Sequence, residues 1–74
     1  MGESIKNRLD YMIALISEFA AYHDITMQQA YLYLKQYKGM DFVDDFYDVE
    51  HTLSFDQVVE DLTSYCKRMG GMLT

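Results

Sequence analysis

The chain is predicted to fold as an all-α domain, a small compact bundle of three long helices and one short helix. Three observations predict this. Apolar residues recur every three or four positions rather than every second one. There is no proline, and the four glycines fall outside the periodic runs, at Gly2, Gly39, Gly70 and Gly71. Two Thr/Ser-x-x-Gln signatures, at Thr26–Gln29 and Ser54–Gln57, mark places where a helix begins. A chain of 74 residues supports one core, so a single helical domain spanning 1–74 is expected.

The first periodic segment starts near Ser4, a candidate N-cap. Ile5, Leu9, Met12, Ile13, Ile16, Phe19 and Ala20 form its stripe, and Lys6, Arg8, Asp10, Ser17 and Glu18 lie off it. This spacing predicts an amphipathic helix of about five turns ending around Tyr22–His23. Asp24-Ile25-Thr26 then restarts the chain. Thr26 and Gln29 can each satisfy an N–H that the helix start leaves free, with Ile25 and Ala30 placed as a hydrophobic staple. The second helix is expected over Met27–Tyr37, burying Ala30, Tyr31, Leu34 and Tyr37. Gly39 would supply its left-handed stop, and Lys35 and Lys38 lie near its negative end.

Asp41 is the expected N-cap of a short third helix over Phe42–Val49, with Asp44 and Asp45 near the positive end of its dipole. Phe42, Val43, Phe46 and Val49 would turn inward, although aromatic and β-branched residues give this helix poor intrinsic propensity. Ser54 and Gln57 form a second capping box, with Leu53 and Val58 as its staple. The last helix should run from Phe55 to Met69, burying Val58, Val59, Leu62, Tyr65, Cys66 and Met69. Lys67 and Arg68 suit its carboxyl end, and Gly70 closes it.

With 50% apolar and 24% charged residues, the chain is too hydrophobic to be intrinsically disordered. Twelve acids against six bases, a net charge of −6, argue against nucleic-acid binding, which requires cations to displace counterions from phosphates. Thr26–Tyr37 loosely resembles a DNA-recognition helix, but the acidic segment that follows makes that use unfavourable. The longest apolar stretch, Tyr11–Ile16, falls far short of the roughly 20 residues that cross a bilayer, so no membrane association is expected. The opening residues MGESIKNRLD contain no secretory core, and Lys6 stands where a myristoylation site needs Ser or Thr. One cysteine, Cys66, cannot make an internal disulfide and lies on an apolar stripe, where a core role outweighs a reactive one. A cytoplasmic location is expected.

The acidity is concentrated. Between Gly39 and Cys66 there is no Lys or Arg, while Asp41, Asp44, Asp45, Asp48, Glu50, Asp56, Glu60 and Asp61 are all acidic. Such a field repels phosphate surfaces and steers a protein partner with a basic surface. The alternative is an ordinary solvated face whose early acids complement helix N-termini. Seven tyrosines are too many for so small a core, and Tyr33 and Tyr47 lie off the predicted stripes or at their edge. Exposed tyrosine is enriched at interface centres, though it also rings small cores with its hydroxyl in water. The candidate interaction residues are therefore Tyr33, Tyr47, Asp44, Asp45, Asp48, Glu50 and His51.

Catalytic, cofactor and metal sites are not expected. The acids around His51 lack the alternating ligands and central glycine of a calcium loop, and His23, His51 and Cys66 lack zinc-site spacing. Tyr47, Glu50 and His51 could form a proton-transfer group, with Cys66 as a further member of a small enzyme or ligand-binding site. No phosphate cradle or nucleophile elbow accompanies them. The structural reading of His51 and Thr52 is that they hold the joint before the last helix.

Several runs carry a family likeness: Ala30-Tyr31-x-Tyr33-Leu34, Gly39-Met40-Asp41-Phe42, the continuous Tyr47–Asp56 stretch, Val59-Glu60-Asp61-Leu62 and Gly70-Gly71. In these the chain resembles the short bacterial proteins of domain-of-unknown-function family 3791, along nearly its whole length and most specifically over Glu50–Asp56. The resemblance implies a small, stand-alone helical bacterial protein with no catalytic residues to carry over, and an accessory or antitoxin-like partner of another bacterial protein. The expected function is thus a non-enzymatic protein-interaction module. A homo-oligomeric structural domain is the alternative, since so small a core leaves apolar surface for a second copy.

Overall fold

In the computed structural model, which describes the backbone of residues 2–71 and the side chains of residues 7–71, the chain is all helical. Five helices follow in order: α1 (Gly2–His23), α2 (Met27–Gln36), α3 (Gly39–Asp45), α4 (Tyr47–Glu50) and α5 (Phe55–Arg68). The expected third helix is thus two helices, α3 and α4. α1 begins upstream of Ser4, which therefore lies within the helix instead of capping it. The side chains of Ser4 and Ile5 lie outside the described residues.

α1 packs against both α2 and α5, and α3 bridges α2 and α5. The core between them holds Leu15, Ile16, Phe19, Ala20, Ala30, Leu34, Val43, Val58, Val59, Leu62 and Cys66. α5 shows the expected burial of Val58, Val59, Leu62 and Cys66, but Tyr65 is only half-buried and Met69 is its C-cap and is exposed. The stripe on α1 is rotated from its expected position. Leu15 is buried, whereas Leu9 and Ile13 are 59% and 52% exposed. Two helices cover α1 on adjoining sides, so its buried arc centres on Leu15 and Phe19, and sequence spacing alone does not locate that centre.

α1 stops at Asp24, which takes the left-handed conformation (φ 55°), one that Asp tolerates better than most residues. The Thr26 capping box is fully formed: Gln29 N–H donates to Thr26 Oγ1 (3.0 Å) and Thr26 N–H donates to Gln29 Oε1 (2.9 Å). On α2 the burial of two tyrosines is the reverse of the expectation. Tyr33 is buried, stacked on Phe19 with centroids 5.9 Å apart, while Tyr31 is exposed. Both flank the Ala30–Leu34 stripe, and contact with Phe19 of α1 and Tyr37 decides between them.

The α2–α3 joint also differs from expectation. Lys38, not Gly39, adopts the left-handed conformation (φ 68°) and caps α3 in place of Asp41. Gly39 is the first residue of α3 and is buried; a Cβ there would lie 2.7 Å from Leu34 Cδ2 and 3.0 Å from Cys66 Sγ. Glycine is required for this close approach of α3 to α2 and α5, not for handedness. Phe46 then breaks the helix (φ −110°, ψ 23°), so the periodicity of α3 does not continue into α4. In consequence Phe46 and Val49, expected inside, are 53% and 59% exposed, while Val43 is buried.

Candidate functional site

The corner that α4 makes against α1 and α5 brings together most of the predicted site residues. Tyr47 packs against two cationic or heteroaromatic side chains. The Arg8 guanidinium lies 4.5 Å from its ring centroid, and the His51 ring stacks on it with centroids 4.6 Å apart and planes 9° from parallel. Arg8 Nη1 also donates to Asp44 Oδ1 (2.7 Å) and to the Asp44 carbonyl (3.3 Å), the one ion pair among the described residues. This pair fastens α3 to α1 and leaves Asp44 already partnered.

His51 turns back on its own helix. Because a carbonyl only accepts, His51 Nδ1–H donates to Tyr47 O at 2.6 Å. The Thr52 hydroxyl donates to Val49 O at the same distance. Both side chains therefore satisfy carbonyls at the end of α4 and act as the joint that leads to α5. The chemistry of Tyr47, Glu50 and His51 is thus divided: His51 is exposed and bonded to backbone, whereas Glu50 is only 6% exposed.

Glu50 was expected on the surface, and its burial is a correction. Tyr11 explains its position. The Tyr11 hydroxyl donates to the Glu50 carbonyl (3.2 Å), and its ring packs edge-on to Tyr47 (5.4 Å) and stacks near Phe55 (5.5 Å). This aromatic knot pins the C-terminus of α4 inward. The Glu50 carboxyl is buried, and its Oε1 has no hydrogen-bond partner among the described residues. Burial first, and then the nearby Asp61 carboxylate of α5, raise its pKa above the usual carboxylate range.

The Ser54 cap is half of the predicted box. Gln57 N–H donates to Ser54 Oγ (3.2 Å), but the Gln57 side chain is diverted, donating through Nε2 to Asp61 Oδ1 (3.0 Å). Competition from Asp61, one turn along the same helix, explains the difference.

Tyr33 is the other correction to the candidate set, since its burial against Phe19 removes it from the surface. Its hydroxyl is buried and lacks a partner among the described residues. Asp45, Asp48 and His51 remain exposed and Tyr47 half-buried. Phe46 and Val49, expected inside, add exposed apolar surface beside them. Phe42 stacks on Tyr65 of α5 (4.7 Å) and lies 5.2 Å from Phe46, forming an aromatic strip across α3 and α5. The clue available in sequence was the low helix propensity of Phe42–Val49, which marks where the helix breaks.

Cys66 is fully buried beside Gly39, and burial pushes its thiol up to about 11, far from the thiolate character of a nucleophile. At the far end of α1, His23 Nε2 meets Thr63 Oγ1 at 2.9 Å, and Thr63 donates its own proton to Val59 O. His23 is therefore the donor in this pair. Its pKa is lowered by burial and by the nearby Lys67.

No described helix is long and apolar enough to cross a membrane. A family model described as a protein of unknown function (DUF3791) matches residues 10–69. No curated protein and no solved structure matches the chain.

Proposed function

The chain belongs to the DUF3791 family, whose description names no activity, and from its surface we propose that it is a non-enzymatic interaction module for a protein partner with a basic surface. The observation that carries this reading is the Phe42–Phe46–Tyr65 strip. Its rings are partly open to solvent, and α3, α4 and α5 also carry the exposed Asp41, Asp45, Asp48 and Glu60. An apolar centre with a charged rim is the usual anatomy of a protein interface, and the acidic rim favours a cationic counterpart. Tyr47, Val49 and His51 extend the face along α4. An accessory or antitoxin-like role in the bacterial cytoplasm is compatible with this chemistry.

Affinity capture from the native host at low and high salt, with wild type and two variants, tests the proposal. A partner held at low salt, released at high salt, and lost from both Phe46→Ala and Asp45→Lys/Asp48→Lys supports it. The absence of any salt-sensitive partner, or capture indifferent to both variants, overturns it. Recovery of the same chain alone favours the homo-oligomeric alternative, for which exposed Leu9, Ile13 and Leu32 provide apolar surface.

A further inference from the structure

The aromatic strip of α3 and α5 carries opposite charge at its two ends. Contacts at either end of α3 set its direction. Gly39, the first residue of α3, lies against Cys66 near the end of α5, where a Cβ would come 3.0 Å from Sγ. Asp44, near the end of α3, reaches Arg8 of α1 at 2.7 Å, and Tyr11 of α1 stacks on Phe55 at the start of α5 (5.5 Å). α3 therefore runs back along α5, from the C-terminal end of that helix toward its N-terminal end. Phe42 meets Tyr65 on this path at 4.7 Å, and Phe46 continues the strip at 5.2 Å from Phe42.

Helical spacing assigns the flanks. Lys38 is one turn before Phe42, whose N–H donates to its carbonyl (3.0 Å), and Arg68 is one turn after Tyr65. Both cations therefore border the end of the strip nearest the close of α5, where Met69 adds apolar surface at 48% exposure. Asp45 and Asp48 bracket Phe46, itself 53% exposed, at the opposite end, and Asp41 lies between. Lys38, Arg68, Asp45 and Asp48 are all exposed, and none belongs to the one ion pair among the described residues. Turned by 180° about its middle, such a surface lays apolar strip on apolar strip and each cationic end on an anionic one.

We propose that the occupant of this strip is a second copy of the chain, docked about a two-fold axis so that Lys38 and Arg68 of each copy face Asp45 and Asp48 of the other. The proposal rests on the docking reading and names its cationic counterpart. A two-fold contact makes every charge pairing twice, and two-fold dimers are the commonest closed assembly. The unlike ends also fix orientation, because parallel strips would set acid on acid and base on base. The net charge of −6 on each copy opposes association. At 0.15 M salt, however, screening acts within about 8 Å, far less than the 39 Å length of the molecule. Charges in contact across the interface therefore outweigh the repulsion between distant ones. Interfaces burying less than about 1,200 Å² in total are transient; a strip of three rings and a methionine belongs with them, and the dimer is reversible.

Sedimentation velocity on the purified chain at 0.15 M NaCl, from low to high micromolar concentration, tests this. Wild type is expected to pass from one copy to two and stop there, because a two-fold contact closes. Phe46→Ala should weaken the dimer by about tenfold or more, as loss of a central aromatic anchor does. Ile13→Ser, on the exposed side of α1, should dimerise as wild type does. Lys38→Glu/Arg68→Glu and Asp45→Lys/Asp48→Lys should each stay monomeric alone and form a one-to-one pair when mixed, since one carries acids at both ends and the other bases. Growth beyond two copies, loss of the dimer in Ile13→Ser but not in Phe46→Ala, or charge variants that ignore each other on mixing, overturns the two-fold dimer. So does a wild type that is monomeric at every concentration; if capture from the host then still finds a salt-sensitive partner, the docking reading stands without a second copy, so the two fail separately.

Discussion

Single residues decide several features that look interchangeable in the sequence. Gly39 is the sharpest case. In a solvent-facing helix Gly→Ala stabilises by up to about 1 kcal/mol, yet here the new Cβ would press on Leu34 and Cys66. Gly39→Ala is expected to destabilise by about 1–3 kcal/mol, with a fall in Tm of about 4–8 °C for each kcal/mol. A rise in Tm on thermal melting would contradict the tight packing of α3. The tyrosines give a second lesson. Tyr31 and Tyr33 border the same Ala30–Leu34 stripe, and contact with Phe19, fourteen positions earlier in the sequence, and with Tyr37 determines that Tyr33 is the one buried.

At the level of elements, local chemistry sets where helices start more firmly than where they stop. The Thr26 box forms as its spacing requires because all four participating groups lie within four residues. Thr26→Ala is expected to cost about 1 kcal/mol, and Gln29→Ala should remove the reciprocal bond as well. Gln57→Ala should instead act through Asp61, leaving the Ser54 bond to the Gln57 backbone in place. Urea denaturation midpoints of the three variants check this; equal effects of Gln29→Ala and Gln57→Ala in a protein also carrying Asp61→Ala would show that the boxes are alike. The division of Phe42–Val49 into α3 and α4 has a different origin. Weak propensity allows the break at Phe46, while the Arg8–Asp44 pair and the Tyr11–Tyr47–Phe55 contacts hold the two pieces in place.

For the whole molecule, the governing quantity is the charge distribution. Eight acids and no base between Gly39 and Cys66 place like charges near one another, relieved among the described residues by one ion pair. Screening weakens such repulsion as the Debye length falls from about 30 Å at 0.01 M salt to about 8 Å at 0.15 M. Thermal stability is therefore expected to rise with NaCl over this range, and less so in Asp45→Lys/Asp48→Lys; a decrease in wild type would mean that attractive pairs dominate. The all-helical class, the helix starts at Met27 and Phe55, the burial of Val58, Val59, Leu62 and Cys66 on α5 and the concentration of acids are determined by the sequence itself. Each depends on neighbours within a turn or two, or simply on composition. Tertiary structure alone decided which side of α1 and α2 is buried, why residue 39 must be glycine, that Phe46 faces outward, and that Glu50 lies inside. These features depend on which helix arrives from elsewhere in the chain to cover a given face, and periodicity fixes the width of an apolar stripe without identifying the helix that covers it.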